Sequence, residues 1–73
     1  MKEKLIEYFE AELVRTKFQL ERMVEDNPYT IVNTAIAHCF GVAEFCLSFM
    51  GYDEVQYLYN QQKEELEELL NEM

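Results

Sequence analysis

The sequence predicts an all-α protein, a three-helix bundle with its second helix central, and three observations support this. Apolar residues recur at intervals of three and four in three separate segments, which is the period of a helix. Pro28 and Gly51 fall in the two gaps between those segments. The hydrophobic content of 49% is typical of a folded chain. With 73 residues the chain forms one domain, residues 1–73, and a core this small often relies on oligomerisation.

The first helix is predicted over residues 2–26. Asn27 and Pro28 then begin the next helix, because asparagine is a favourable N-cap and proline suits the first helical position. The expected buried face of the first helix has coiled-coil-like spacing and comprises Ile6, Phe9, Leu13, Thr16, Leu20 and Met23.

The second helix is predicted over residues 28–50 and is the most apolar of the three. Two neighbouring apolar stripes cover more than half of its circumference, so we expect it to be the central helix. Gly51 is expected to end it in the left-handed conformation, which costs glycine little. The stripes comprise Val32, Ala35, Cys39, Val42, Cys46 and Phe49, and beside them Ile36, Phe40, Ala43, Leu47 and Met50.

The third helix is predicted over residues 53–72. Asp53 is expected to be its N-cap, with Gln56 as the partner in a capping box. The expected buried face comprises Val55, Leu58, Tyr59, Gln62, Leu66, Leu69, Leu70 and Met73.

The second helix carries Cys39 and Cys46, which raise the question of a metal site or a catalytic thiol. They are seven positions apart, about 10.5 Å along a helix, which is too far for a disulfide or for one shared metal ion. A reactive thiolate needs an electropositive setting, whereas both cysteines fall on an apolar stripe. We therefore predict core cysteines, a boundary residue at His38, and no catalytic residue, metal or cofactor.

Gly41 lies in the same helix, where glycine costs about 1 kcal/mol relative to alanine. Ala37 precedes it by one turn, and small residues at this spacing allow another helix to come close. We therefore expect a close approach, or a bend, at Gly41.

The formal net charge of −9 is concentrated in residues 27–73, which carry −7 of it. This charge disfavours direct binding to nucleic acid and to anionic membranes. Residues 31–50 have the length of a membrane span, but a mid-span acid such as Glu44 costs about 2.5–3.5 kcal/mol on insertion scales. Because the first residues also lack the apolar core of a signal peptide, we expect a cytosolic, bacterial-type protein.

Two surface patterns suggest contacts with other proteins. One is a stripe on the first helix, where aromatic residues and arginine alternate at heptad spacing; both types are enriched at interfaces, although incidental exposure is the alternative. The other is an acidic face of the third helix, either a docking face for a basic protein or a solvated helix surface. The candidate interface is Tyr8, Arg15, Phe18 and Arg22, and the candidate acidic partner face is Glu54, Tyr57, Glu64 and Glu68.

The segment CFGVAEFCLSFMGYDEVQYLYNQQKEELEELL, Cys39 to Leu70, combines an apolar helix, a glycine corner and an acidic leucine-rich helix. In this order of features it resembles the C-terminal half of small uncharacterised helical proteins from low-GC Gram-positive bacteria and their mobile elements. The resemblance implies a cytosolic accessory protein and identifies no functional residue.

The sequence therefore predicts a small helical protein-protein interaction module without catalytic activity, in the form of a homodimer. The chain has one histidine, no glycine-rich phosphate loop and no nucleophile beside a base, which disfavours an enzyme. The alternative is an acidic inhibitor that occupies a basic, nucleic-acid-binding surface of another protein. Salt distinguishes the two, because only the second contact depends on opposite charges.

Overall fold

Three α-helices make up the chain in a computed structural model that describes residues 1–23 and 26–72. The helices are α1, Lys2–Arg22, α2, Pro28–Cys46, and α3, Tyr52–Asn71, with no strand in the described residues. Each helix contacts the other two, and the molecule measures 37 × 17 × 15 Å. The predicted all-α class with three helices is confirmed.

The first helix ends earlier than predicted. Met23 adopts the left-handed conformation, with φ 50° and ψ 52°, and its N–H donates to the carbonyls of Gln19 and Leu20. A left-handed residue closes a helix because it turns the chain away from the helical axis. The predicted end at residue 26 is therefore wrong, and residues 24–25 of that range lie outside the described part.

The second helix begins as predicted and ends four residues early. The side chain of Asn27 accepts the N–H of Tyr29 at 2.9 Å, and Pro28 is the first helical residue. After Cys46 the N–H groups of Ser48 and Phe49 donate three residues back, at 3.3 and 2.9 Å, which is the tighter pattern of a turn. The predicted end at residue 50 is wrong for this reason.

The corner before α3 differs from its prediction. Gly51 is extended, with φ −68° and ψ 143°, and is itself the N-cap of α3. Its carbonyl accepts the N–H of Val55 at 3.1 Å, so the expected left-handed Gly51 and the cap at Asp53 are both wrong. Asp53 lies in the first turn, where its negative charge complements the helix dipole. Gln56 donates to Asn60 at 3.2 Å and forms no capping box.

The core contains eleven buried hydrophobic residues from all three helices. The predicted faces are largely confirmed, except that Met23, Phe40, Leu47 and Phe49 are exposed. Phe49 is exposed because the helix has already ended, and the ring of Phe40 packs edge-on against Tyr59 at the surface. Met73 lies outside the described residues. The buried set is Leu5, Phe9, Leu20, Ile31, Val32, Ala35, Cys39, Ala43, Cys46, Val55 and Leu66.

Three polar residues, Glu12, Thr16 and Gln62, are also buried. The amide nitrogen of Gln62 donates to the backbone carbonyl of Phe9 at 2.9 Å and lies 3.6 Å from the sulfur of Cys39. One side chain of α3 therefore contacts both α1 and α2 inside the core.

The expected close approach at Gly41 is wrong within the described part of the chain. Gly41 is exposed, and a Cβ built on it has no neighbour within 4 Å. A small residue allows a second helix to pack closely, but its presence does not mean that a helix packs there.

We expect Gly41→Ala to raise the free energy of unfolding by about 0.5–1 kcal/mol, because alanine restricts the unfolded chain and enters open space here. For a domain of this size a gain of about 1 kcal/mol raises the melting temperature by roughly 4–8 °C, which calorimetry measures. Ala37→Gly, one turn away on the same exposed side, is the matched control and is expected to lower it by a similar amount. A lower melting temperature for Gly41→Ala would show that a neighbour does contact this position.

Candidate protein-interaction surfaces

The two cysteines lie in the core, as predicted. Cys39 and Cys46 are both free thiols with almost no exposed surface. Burial raises the pKa of the Cys39 thiol to about 11, against a smaller opposing effect of its contact with Gln62. Neutral thiols of this kind act as small hydrophobic groups. Among the described residues no group of three or more His, Cys, Asp or Glu side chains is placed to hold a metal ion.

A cluster of polar side chains surrounds Glu12 between α1 and α2. The carboxylate is only 3% exposed, and the Arg15 guanidinium donates to both of its oxygens, at 2.7 Å to Oε2. The hydroxyl of Tyr8 donates to the same Oε2 at 3.3 Å. Burial and the nearby Glu12 carboxylate raise the pKa of Tyr8. A buried carboxylate is stable only when it is paired in this way.

His38 reaches this cluster from α2. Its Nδ1 atom lies 3.3 Å from Nη2 of Arg15 and 3.6 Å from Oε2 of Glu12. The predicted boundary position of His38 is confirmed, since half of its side chain is exposed. The cluster borders a cleft of about 140 Å³ and connects α1 to α2 through polar side chains.

The burial of Glu12 escaped the sequence interpretation, although signals for it were present. Glu12 falls three residues after Phe9 and four before Thr16, which places it on the buried face. Arg15 follows three residues later, within reach of an ion pair. An acidic residue on the apolar face of a helix, followed by arginine one turn later, is therefore a sequence pattern that predicts a buried ion pair.

The structure divides the predicted interface on α1 into two parts. Tyr8 and Arg15 are engaged with Glu12 inside the chain. Phe18 is 52% exposed, and the guanidinium of Arg22 lies 4.6 Å above its ring. Arg15 is also half-exposed, but its guanidinium is held by Glu12, whereas Phe18 and Arg22 contact each other at the surface.

A second aromatic patch lies at the end of α2 and was missed by the sequence interpretation. The rings of Phe45 and Phe49 are 5.4 Å apart, and the two side chains are 63% and 60% exposed. Tyr52, at the start of α3, is equally exposed. We call Phe45, Phe49 and Tyr52 the corner patch. The prediction that Phe49 lies in the core is wrong, because it rests on a helix that continues past this residue.

The predicted acidic face of α3 is exposed. Tyr57 accepts a hydrogen bond from Gln61 at 2.9 Å, and Glu54 lies 3.6 Å from Lys2. Glu64 and Glu68 also face solvent. Residues 52–72 carry seven acids and one lysine, a net charge of −6, whereas α1 carries five acids and five basic residues. The negative charge of the chain is therefore located mainly on α3.

Two clefts follow each other along the seam between α1 and α3. The first has a volume of about 280 Å³ and the second, toward the helix ends, about 380 Å³. Apolar side chains and carboxylates line both. The first is lined by Ile6, Phe9, Glu10, Leu13, Leu58, Gln61, Gln62 and Glu65, and the second by Lys17, Leu20, Glu21, Met23, Leu69 and Glu72.

Comparison with known proteins gives no family assignment. The chain matches no family model, no curated protein and no solved structure. Within the described residues, none of the helices has both the length and the apolar character needed to cross a membrane.

The pair of Glu12 and Arg15 leads to a stability prediction. Arg15→Met leaves the buried carboxylate without its main partner, and we expect a loss of about 1–3 kcal/mol in the free energy of unfolding. Glu12→Met/Arg15→Met removes the buried charge as well and is expected to be more stable than the single variant.

The matched control is Lys4→Met, which removes the same charge from an exposed position of the same helix, outside the proposed contacts. We expect it to change stability by no more than about 0.5 kcal/mol, measured by urea unfolding. Equal losses for the two single variants would mean that net charge, rather than the buried pair, determines the effect.

Proposed function

We propose that this chain is a non-catalytic protein-protein interaction module that forms a homodimer through the exposed side of α1. The observation that carries the proposal is the half-exposed ring of Phe18 beneath the Arg22 guanidinium. Aromatic side chains, including phenylalanine, and arginine are enriched at protein-protein interfaces relative to the rest of the surface. Tyr8 and Arg15 belong to the proposed contact at its edge, next to α2.

The charge distribution favours α1 over α3 as the contact between two copies. α1 carries equal numbers of acidic and basic residues, so two copies of it meet without net repulsion. Two copies of α3 would bring like charges together. A two-fold contact uses the same patch twice, which makes a modest patch sufficient for a small protein.

The folded unit of this proposal is a three-helix bundle with α2 at its centre. α2 supplies six of the buried side chains and contacts both neighbours, which supports this arrangement. The raised pKa and burial of Cys39 support the absence of a catalytic thiol. A cytoplasmic location is part of the same proposal.

A second candidate function is binding to a basic, nucleic-acid-binding surface of another protein. It is favoured by the net charge of −6 over residues 52–72 and by the exposed set of Glu54, Tyr57, Glu64 and Glu68. Such a contact weakens steeply as salt is added, whereas an interface built on Phe18 persists.

Light scattering after size exclusion tests the homodimer. At micromolar concentration we expect twice the single-chain mass of 8.8 kDa, at low and at high salt. Phe18→Glu should give a folded monomer, because it places a charge in the proposed contact. Tyr57→Glu is the matched control, since it adds the same charge at a similarly exposed aromatic residue of α3, and should remain dimeric.

A third variant locates the contact. Phe45→Glu alters the corner patch and is expected to leave the dimer intact. If Phe45→Glu dissociates the dimer and Phe18→Glu does not, the contact lies on α2 and the proposed interface is wrong. A single-chain mass for the unmodified protein would rule out the homodimer altogether.

A further inference from the structure

The seam between α1 and α3 is the least extensive of the three helix-helix contacts. It runs past both clefts, which we together call the α1–α3 groove. From Ile6 to Leu20 the groove follows α1 for 15 residues, which span about 21 Å of helix. This is the length of roughly four helical turns.

The floor of the groove is apolar. Phe9 is buried beneath it, while Ile6, Leu13 and Leu58 are only partly buried and keep some surface open to solvent. In a monomer this surface is in contact with water, so covering it is favourable, at about 25 cal/mol for each Å² removed from water.

The rim of the groove is acidic. Glu10 on α1 and Glu65 on α3 line the first cleft, and no basic side chain lines it. The second cleft adds Glu21 and Glu72 with one lysine, Lys17. The complete rim therefore has a net negative charge along its length.

We propose that the α1–α3 groove binds an amphipathic α-helix of a partner protein, one with an apolar face about four turns long and lysine or arginine at its edges. The walls of the groove are two helices, which offer ridges and grooves for a third helix and no unpaired strand edge for an extended peptide. Its apolar floor selects the apolar face of the ligand, and Glu10 and Glu65 select the basic edges.

This proposal goes beyond self-association and does not depend on it. α1 faces α3 with Ile6, Glu10 and Leu13 and faces α2 with Glu12 and Arg15. Phe18 and Arg22, on which the proposed dimer contact rests, line neither cleft. The groove and the proposed dimer contact are therefore different surfaces, and each can fail without the other.

The test uses a synthetic peptide of about 18 residues, in which leucines follow a helical three-four spacing and the remaining positions are lysine and alanine. We expect it to bind the full chain, with amide shift changes in nuclear magnetic resonance concentrated at Leu13, Leu58 and Gln61. A peptide of identical composition with its leucines scattered around the helix is the control. It should bind at least about tenfold more weakly, since it offers no continuous apolar face.

Two charge-matched variants of the protein test the rim by calorimetry. Glu10→Lys/Glu65→Lys reverses both rim charges of the first cleft and should weaken binding of the patterned peptide by about tenfold or more. Glu44→Lys/Glu67→Lys makes the same change in net charge at exposed positions away from the groove and should change affinity much less. Circular dichroism checks that both variants fold, and the shift changes in the unmodified protein decide the location if one does not.

Several outcomes would overturn the proposal. Equal binding of the two peptides, or equal losses in the two variants, would mean that net charge alone attracts the peptide, as on the acidic face of α3. Absence of binding, or shift changes located away from the groove, would remove the site. Shifts of Leu13, Leu58 and Gln61 that change on dilution without peptide would show that a second copy of the chain occupies the groove.

Discussion

The small interior of a 73-residue chain is the constraint on which the rest of the structure depends. Helices of 21, 19 and 20 residues enclose eleven buried hydrophobic side chains, and small domains bury a lower fraction of their surface than large ones. α2 is apolar around most of its circumference, yet its two neighbours cover only part of it. Phe45 therefore remains at the surface, as Phe49 does just past the helix end. The exposed aromatic residues follow from this limited interior.

Polar side chains within this interior determine how the helices fit together. Apolar contacts have no preferred direction, so many packings of three amphipathic helices would have similar energies. The amide of Gln62 meets the carbonyl of Phe9 in one register of α1 against α3. Packings that separate these partners leave a buried polar group unpaired, which costs about 1–3 kcal/mol.

Three helices could be predicted from the sequence because the spacing of buried apolar residues follows the period of the helix. The start of α2 could be predicted because Asn27 and Pro28 favour a helix start through contacts within the first turn. The helix ends were less predictable. Met23 takes the left-handed conformation at a cost that glycine would avoid, and nothing local in the sequence marks that choice. Because α2 already ends at Cys46, Gly51 does not have to end that helix, and it adopts an extended conformation instead. The burial of Glu12 was not predicted and the close approach at Gly41 was wrongly predicted for a related reason, since both depend on neighbours distant in sequence.

The unequal distribution of charge gives the proposed surfaces different physical characters. The proposed self-association uses α1, whose acidic and basic residues are equal in number, and would rest on aromatic contacts. The proposed binding of a basic helix in the α1–α3 groove would depend on carboxylates and would be weakened by salt. The two contacts lie on different flanks of α1, so a dimer built on Phe18 keeps its grooves accessible. Two grooves on one dimer raise the effective concentration for a partner that carries two basic helices. Dimerisation would then strengthen a weak helix-in-groove contact without changing any residue in the groove.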